Sequence, residues 1–166
     1  MLQFDLRFCP LPANSLDAVV ALNVLEHIDE DQKALWNIFQ ILKPGGVAHI
    51  EVPAGPLLYD FYDEVLMHHR RYGKKELVQK CKKAGFRVCR VFGIGWSLYP
   101  LFCAIKIRNR ILGRRLSDSE KMKQVARAIQ ETRVSPLVKI MLRIETFIDQ
   151  LAVPLGIRYC VVLEKP

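Results

Sequence analysis

A segment in the middle of the chain holds the residues best suited to acid–base chemistry. Asp63 is followed after four residues by His68 and His69. Histidine can take up a proton near neutral pH, and a nearby carboxylate can orient its ring. We therefore interpret His68 and Asp63 as candidate catalytic residues. The alternative is a salt bridge within the segment, between Asp63 and Arg70 or Arg71, and the sequence leaves both interpretations open.

The same segment does not have the pattern of a metal site. Adjacent histidines project in different directions, and no third ligand recurs near Asp63, His68 and His69 at a suitable spacing. We expect no metal there. The five cysteines are scattered, odd in number and form no Cys-x-x-Cys pair. They predict reduced thiols in a cytoplasmic protein rather than a zinc or disulfide framework.

A second group of polar residues follows an apolar run. Leu16–Val24 is short and rich in valine, which predicts a buried parallel strand. In open α/β sheets, ligands bind beyond the carboxyl ends of the strands. Because this strand ends near Asn23, we expect Leu22–His27 to face a binding crevice.

A helix and another strand follow directly. Asp29 and Gln32 have the spacing of a capping box. Lys43–Gly46 should end the helix, and Val47–Val52 should form the next strand. A strand, a helix and a strand joined by short connections predict a parallel βαβ unit. The apolar positions of the helix recur at helical spacing: Leu35, Ile38, Phe39 and Leu42.

The remaining pattern is that of one domain, residues 1–166, with a helical insertion at about 97–153. We predict, in chain order, a loop at Pro53–Tyr72, a helix at Lys74–Ala84, a strand at Phe86–Phe92, helices at Ser97–Leu112, from Ser117 to about Thr132 and from Ser135 to Leu151, and a strand at Tyr159–Leu163.

Charge is distributed unevenly along a chain whose net charge is +8. Residues 1–66 hold three Lys/Arg against ten Asp/Glu, whereas residues 67–166 hold 22 against seven. A basic second part suggests an anionic partner, either phospholipid or nucleic acid. The aromatic pattern expected for binding single strands is lacking, which argues against nucleic acid. The longest uncharged stretch, Val91–Ile105, is too short to span a bilayer.

Residues 92–115 combine aromatic and aliphatic side chains with five cations between Lys106 and Arg115. That composition is typical of a helix lying in the interface of an anionic membrane, which would make the protein peripheral to the membrane. The alternative is a helix that packs its apolar side against its own domain. Exposure of Trp96, Leu98, Leu101 and Phe102 together would favour the membrane.

Several segments carry a family resemblance. The series "LDAVVALNVLEHI", "ILKPGG" and "HIEVPAG" resembles the central motifs of class I S-adenosylmethionine (SAM)-dependent methyltransferases. The segments "YDEVLMHHRRYGKKEL" and "IETFIDQLAVPLGIRYCVVLEKP" are similar to a methyltransferase type 11/12-like bacterial subgroup. The resemblance implies the C-terminal part of a Rossmann-like sheet with an antiparallel last strand. It also implies SAM as the cofactor and methyl transfer to an unidentified small or lipid-like acceptor.

The resemblance also assigns roles to residues. Asp5 matches the residue that binds the adenine amino group, and Asn23 matches a residue beside the methionyl part of SAM. Their alternatives are a surface carboxylate and a strand-end turn residue. His27 would orient cofactor or substrate, or else it is a hydrogen-bonded histidine at a helix start. His68 matches a loop histidine of the subgroup. The implied cofactor-binding residues are Asp5, Leu6, Asn23, Val24 and Glu26.

One departure from the family pattern is large. The first strand, the Gly-x-Gly-x-Gly loop and the acidic residue after the second strand are absent from these 166 residues. Gly93-Ile94-Gly95 cannot replace the loop, because it follows a late strand and opens no βαβ unit. We therefore expect this chain alone to bind SAM no tighter than about 1 mM. The alternative function is a non-catalytic binding module that keeps the second half of the fold.

Overall fold

The computed structural model describes residues 2–130, 145 and 155–166. Its centre is a four-stranded sheet in the order β1-β2-β4-β3. β1 and β2 are parallel, and β4 runs antiparallel to both of its neighbours. The reversed last strand is as predicted, and the Rossmann-like fold class is confirmed. The strands are β1 (Leu16–Leu22), β2 (Leu42–Pro53), β3 (Arg87–Ile94) and β4 (Arg158–Glu164).

Helices lie between the strands in chain order. They are α1 (Asp31–Ile41), α2 (Phe61–Val65), α3 (Lys74–Lys83), α4 (Tyr99–Leu112) and α5 (Asp118–Gln130). Short 3-10 turns occupy Leu6–Phe8, Leu25–His27, Pro56–Leu58 and Gly113–Arg115. The helix predicted from Ser135 to Leu151 lies outside the described residues, except at Glu145.

The core is the layer between the sheet and α1 and α3. Leu35, Ile38 and Leu42 are fully buried there, and Phe39 packs against the same cluster. On the sheet, Ile50 pairs with Ala21 on one side and with Val161 on the other. This packing fixes the carboxyl end of β1 relative to the helices that follow it.

Two local predictions were wrong. Asp29 and Gln32 form no capping box, because the Gln32 amide donates instead to the Lys80 carbonyl oxygen at 3.1 Å. Glu30 is the residue that precedes α1, and its side chain makes no capping hydrogen bond. β2 begins at Leu42 rather than Val47, since Leu42 is already extended and pairs with Leu16. The Lys43–Gly46 turn is therefore an irregularity inside the strand.

α4 is oriented opposite to the expectation for an amphipathic helix. Its inward face contains the polar Lys106 and Asn109, both buried, while Leu101 and Ile111 are each 61% exposed. Trp96, Leu98 and Phe102 are half-buried. Of the four residues whose joint exposure would favour a membrane contact, Leu101 is thus exposed and the other three are half-buried. Within the described part of the chain, no helix has the length and apolar character needed to cross a membrane.

Candidate functional site

A cavity opens at the carboxyl end of β1. Its volume is about 480 Å³, within the range of small-molecule sites. Asn23 ends the strand in a left-handed conformation with φ of 52°, which asparagine tolerates better than most residues. Its backbone N–H donates to the Glu51 carbonyl oxygen at 3.0 Å. The lining residues are Phe4, Asp5, Leu6, Arg7, Asn23, Val24, His27, Ile28, Asp29 and His69.

The structure brings together four of the five predicted cofactor residues. Asp5, Leu6, Asn23 and Val24 line the cavity, whereas Glu26 lies behind it. The lining mixes apolar surface with carboxylate, amide and imidazole groups. That mixture suits a ligand with both an aromatic base and an amino-acid end, so these residues fit SAM.

Asp5 has a partner within the cavity wall. Its carboxylate accepts hydrogen bonds from the Arg7 side chain at 2.7–3.1 Å and from the Arg7 backbone N–H at 2.8 Å. The Arg7 side-chain hydrogen bond is the main cause that lowers the pKa of Asp5. Arg7 also pairs with Asp29 at 2.8 Å. An adenine amino group would therefore share Asp5 with Arg7, a lining residue that the sequence did not single out.

Glu26 has an unusual environment. Its side chain is 1% exposed, and neither carboxylate oxygen has a hydrogen-bond partner among the described residues. Burial raises the pKa of Glu26. The backbone here is well held, because the Glu26 carbonyl oxygen accepts the His69 N–H at 2.7 Å. This bond joins the end of β1 to the histidine-containing segment.

The segment predicted as a loop, Pro53–Tyr72, contains α2 and a buried ionic cluster. Asp63 is 1% exposed, and both of its oxygens lie 2.9 Å from Arg71 Nε. Lys106 Nζ of α4 donates to Asp63 at 2.9 Å and to Asp60 at 2.7 Å. Burial alone would raise the pKa of Asp63, but the Arg71 and Lys106 hydrogen bonds outweigh it and hold that pKa well below its usual range.

His68 joins this cluster to the cavity. Its Nδ1 lies 2.9 Å from Asp63 Oδ1, and its ring meets the edge of the His27 ring with centroids 4.7 Å apart. Burial lowers the pKa of His68, although Asp63 partly offsets the effect. The neutral ring then carries its proton on Nδ1, facing Asp63, and leaves Nε2 with a free electron pair. The Asp63 carboxylate thus contacts His68 and Arg71 together, so the salt bridge with Arg71 is present and the catalytic role of Asp63 stays a prediction.

Lys106 was missed by the sequence reasoning, which counted it among the surface cations. Phe102, Lys106 and Asn109 recur at helical spacing on the face of α4 that approaches α2, and Gly113 follows directly after the helix. A side chain at Gly113 would lie 2.6 Å from the Phe61 ring, which marks close packing there. A lysine flanked on its own face by an aromatic residue, an amide and a glycine was the available signal for burial.

The possible metal ligands also differ from those considered in the sequence. Glu26, His27 and His68 each offer one ligand atom, and these atoms lie within 4.8 Å of one another. His69 is adjacent to His68 but lines the cavity instead. The described residues thus place a carboxylate and two imidazoles close together, and of these three residues His27 lines the cavity.

With this arrangement defined, comparisons with known proteins are informative. Residues 1–50 match the methyltransferase domain family. A probable S-adenosylmethionine-dependent methyltransferase of Mycolicibacterium smegmatis (strain ATCC 700084 / mc(2)155) is 32% identical over 92 residues, which is 54% of this chain and 36% of that protein. The chain is therefore similar to class I SAM-dependent methyltransferases, as its motifs predicted.

Solved structures share the fold. The [4+2]-cyclase SpnF superimposes with a TM-score of 0.55 at 20% identity, covering 98% of this chain and 54% of its own. The Haemonchus contortus phosphoethanolamine N-methyltransferase 2, bound to phosphomonomethylethanolamine and S-adenosylhomocysteine, superimposes with a TM-score of 0.52 at 20% sequence identity. The match covers 98% of this chain and 36% of that protein. YcgJ of Bacillus subtilis superimposes with a TM-score of 0.51 at 15% sequence identity, covering 98% of this chain and 67% of YcgJ. The chain spans about a third of its curated relative and about half of SpnF.

Proposed function

We propose that the protein transfers a methyl group from SAM to a small or lipid-like acceptor. The observation that carries the proposal is the convergence of Asp5, Asn23 and His27 on one cavity at the carboxyl end of β1. Four residues that the family resemblance links to cofactor binding come from two separate segments and meet there. SpnF, a cyclase with the same fold, is a reminder that the fold alone does not define the reaction.

The residues divide the work as follows. When bound, SAM supplies an electrophilic methyl group, and the transfer is an in-line displacement. Asn23 and Asp5 hold the two ends of the cofactor. We assign the acceptor side to His27, which lines the cavity, and to His68, whose ring contacts that of His27. The Nε2 electron pair of His68, as a base or as a ligand of a bound ion, promotes loss of the acceptor proton. Asp63 positions His68, and the ionic cluster keeps Asp63 in place.

The test is calorimetry with SAM, on this chain and on a form extended by any in-frame sequence upstream of Met1. We expect binding no tighter than about 1 mM for the 166 residues and micromolar binding for the extended form. In the extended form, Asn23→Ala should weaken SAM binding, and Asp17→Ala on β1 serves as an exposed control. If no form binds SAM, the proposal is wrong and a non-catalytic binding module replaces it.

We also propose that the protein associates peripherally with anionic membranes through residues 92–115. The supporting observation is the outward face of α4, where Leu101, Ile105 and Leu112 are exposed. Four exposed cations lie beside them: Arg108, Arg110, Arg114 and Arg115. Lys106 does not contribute, because its ammonium group is buried against Asp60 and Asp63. Each surface cation adds about 1 kcal/mol near an anionic leaflet.

Vesicle flotation tests the membrane proposal. We expect binding to phosphatidylserine-containing vesicles and not to phosphatidylcholine vesicles, with weakening as salt is raised. Reversing the four arginines to glutamate should abolish it. The matched control reverses Lys74, Lys75, Lys82 and Lys83 on α3, which changes the net charge equally. Equal loss in both variants, or no flotation at low salt, would contradict a specific role for α4.

A further inference from the structure

We infer that Glu26, His27 and His68 form a binding site for a divalent transition-metal ion of the zinc class, which in turn binds an acceptor hydroxyl. The second half of this inference rests on the proposed methyl transfer. The geometric basis is that one carboxylate oxygen and two imidazole nitrogens lie within 4.8 Å of one another. Two histidines and one glutamate are a frequent ligand set for catalytic zinc, which leaves a coordination position open.

Glu26 provides an independent observation. A buried carboxylate ordinarily has hydrogen bonds or a cationic partner, because an uncompensated charge in the interior is very unfavourable. Glu26 is 1% exposed, and neither of its oxygens has a hydrogen-bond partner in the part of the chain that the structure describes. The group therefore either carries a proton or binds a cation, and the two histidine rings beside it favour the cation.

The charges around the site support the same conclusion. The Asp63 carboxylate is compensated by Arg71 and Lys106. Glu51, which also faces Glu26, is paired with Arg158. Glu26 is thus the acidic group of this neighbourhood that has no ion-pair partner among the described residues. A divalent cation would supply the missing positive charge.

His68 has the arrangement expected of a ligand that a second residue orients. Metal-bound histidines commonly donate their other ring N–H to a carboxylate, which fixes the tautomer and the ring direction. His68 Nδ1 lies 2.9 Å from Asp63 Oδ1, so Nε2 is the nitrogen left for the metal. The buried bonds from Arg71 and Lys106 to Asp63 hold that carboxylate rigidly.

The three ligand atoms lie farther apart than they would around a bound zinc ion. Zinc bonds of about 2.0–2.2 Å need ligand atoms about 3.5 Å apart, compared with the present limit of 4.8 Å. Side-chain rotation of the exposed His27 can close this difference. His27 also lines the cofactor cavity, so the open coordination position would face the bound cofactor.

The chemistry that follows is oxygen methylation. An acceptor hydroxyl bound to the cation would lose its proton to solvent, because a divalent cation lowers the pKa of a bound hydroxyl group. The resulting oxyanion then forms a bond to the SAM methyl carbon. The carbon–sulfur bond breaks, its electron pair stays on sulfur, and S-adenosylhomocysteine leaves. The predicted acceptor class is therefore a small molecule or lipid with a hydroxyl group that can reach the ion.

The experiment titrates the metal-free protein with zinc chloride by calorimetry and with cobalt chloride by visible absorption, without SAM or acceptor. We expect one site of micromolar affinity and a cobalt d–d spectrum without a thiolate charge-transfer band. His27→Gln, which alters an exposed side chain, and Glu26→Gln should each weaken binding at least tenfold. His69→Gln and Glu64→Gln are the matched exposed controls and should leave binding unchanged.

Three outcomes would overturn the inference. They are the absence of binding at 1 mM metal, a thiolate band in the cobalt spectrum, and equal affinity in the ligand variants and the controls. Since these measurements do not require methyl transfer, the two proposals fail separately. Methylation by a metal-free protein would overturn the role of the ion in activating the acceptor and leave the methyltransferase function standing. Metal binding without SAM binding in the extended form would overturn the methyltransferase function alone.

Discussion

Replacing Lys106 by methionine tests whether the ionic cluster holds α4 against the rest of the domain. Lys106 is 6% exposed, and its ammonium group lies 2.7 Å from Asp60 and 2.9 Å from Asp63. Methionine is similar in size, so the change removes the charge while keeping most of the packing. Asp63 retains Arg71, but Asp60 would be left buried with no cation.

The expected loss of stability follows from the difference between Asp63, which keeps a cation, and Asp60, which loses its own. Removing one partner of a buried ion pair costs about 3–5 kcal/mol, since the other charge stays uncompensated. With a urea m-value of about 2 kcal/mol/M, the unfolding midpoint should fall by about 1.5–2.5 M. Adding Asp60→Asn to Lys106→Met should recover part of the loss, because the amide no longer carries the stranded charge.

The assay is urea unfolding followed by circular dichroism. Arg110→Met on the same helix is the control, since Arg110 is exposed and its loss should change stability by no more than about 0.5 kcal/mol. If Lys106→Met costs no more than Arg110→Met, or if the second substitution makes the protein less stable still, the cluster does not stabilise α4 and the reasoning is wrong.

Three further predictions concern stability and reactivity. Iodoacetamide at pH 8 should label the exposed Cys89 and leave Cys81 unmodified, because burial raises the pKa of Cys81 to about 12; mass spectrometry of the peptides decides this. Gly93→Ala should destabilise the protein more than Gly73→Ala in thermal unfolding, since a methyl group at Gly93 would lie 2.1 Å from the Leu155 carbonyl oxygen, whereas the nearest atoms to one at Gly73 lie at 3.9 Å. Because folding lowers the pKa of Asp63, its ionised carboxylate contributes stability that is present above about pH 4 and lost as the pH falls further. The difference in unfolding free energy between wild type and Asp63→Asn should therefore shrink on acidification. A constant difference would contradict the ion-pair explanation.

Sheet topology was predictable because two kinds of information agreed. The valine-rich run of β1, the apolar period of α1 and the short connections define a βαβ unit on physical grounds. The family resemblance supplied the rest, including the antiparallel β4. Boundaries were less accurate, as at Leu42, because the start of β2 depends on pairing with Leu16 and not on local propensity.

The candidate site was predictable only in part. Asn23 and His27 follow from the rule that ligands bind at the carboxyl ends of strands. The contact between His27 and His68 could not be predicted, because it depends on how the Pro53–Tyr72 segment folds back over β1. That path is set by pairings distant in sequence, such as the His69 N–H to the Glu26 carbonyl oxygen. The missing partners of Glu26 are equally invisible in the sequence.

The orientation of α4 links the ionic cluster to the membrane proposal. A helix with Leu101, Ile105 and Leu112 on one face would ordinarily bury that face. Here Asp60 and Asp63 are buried under α4, and Lys106 is the cation that contacts both. Compensating the two buried charges is worth about 3–5 kcal/mol. Burying the three aliphatic side chains would be worth about 1–2 kcal/mol for each half-exposed side chain. Because these two gains are similar, the observed orientation is favoured when the aliphatic face gains a contact elsewhere. Contact with a bilayer would supply that gain. Adding vesicles should therefore reduce chemical labelling of α4 in the wild type, and the reduction should be smaller in the Lys106→Met variant.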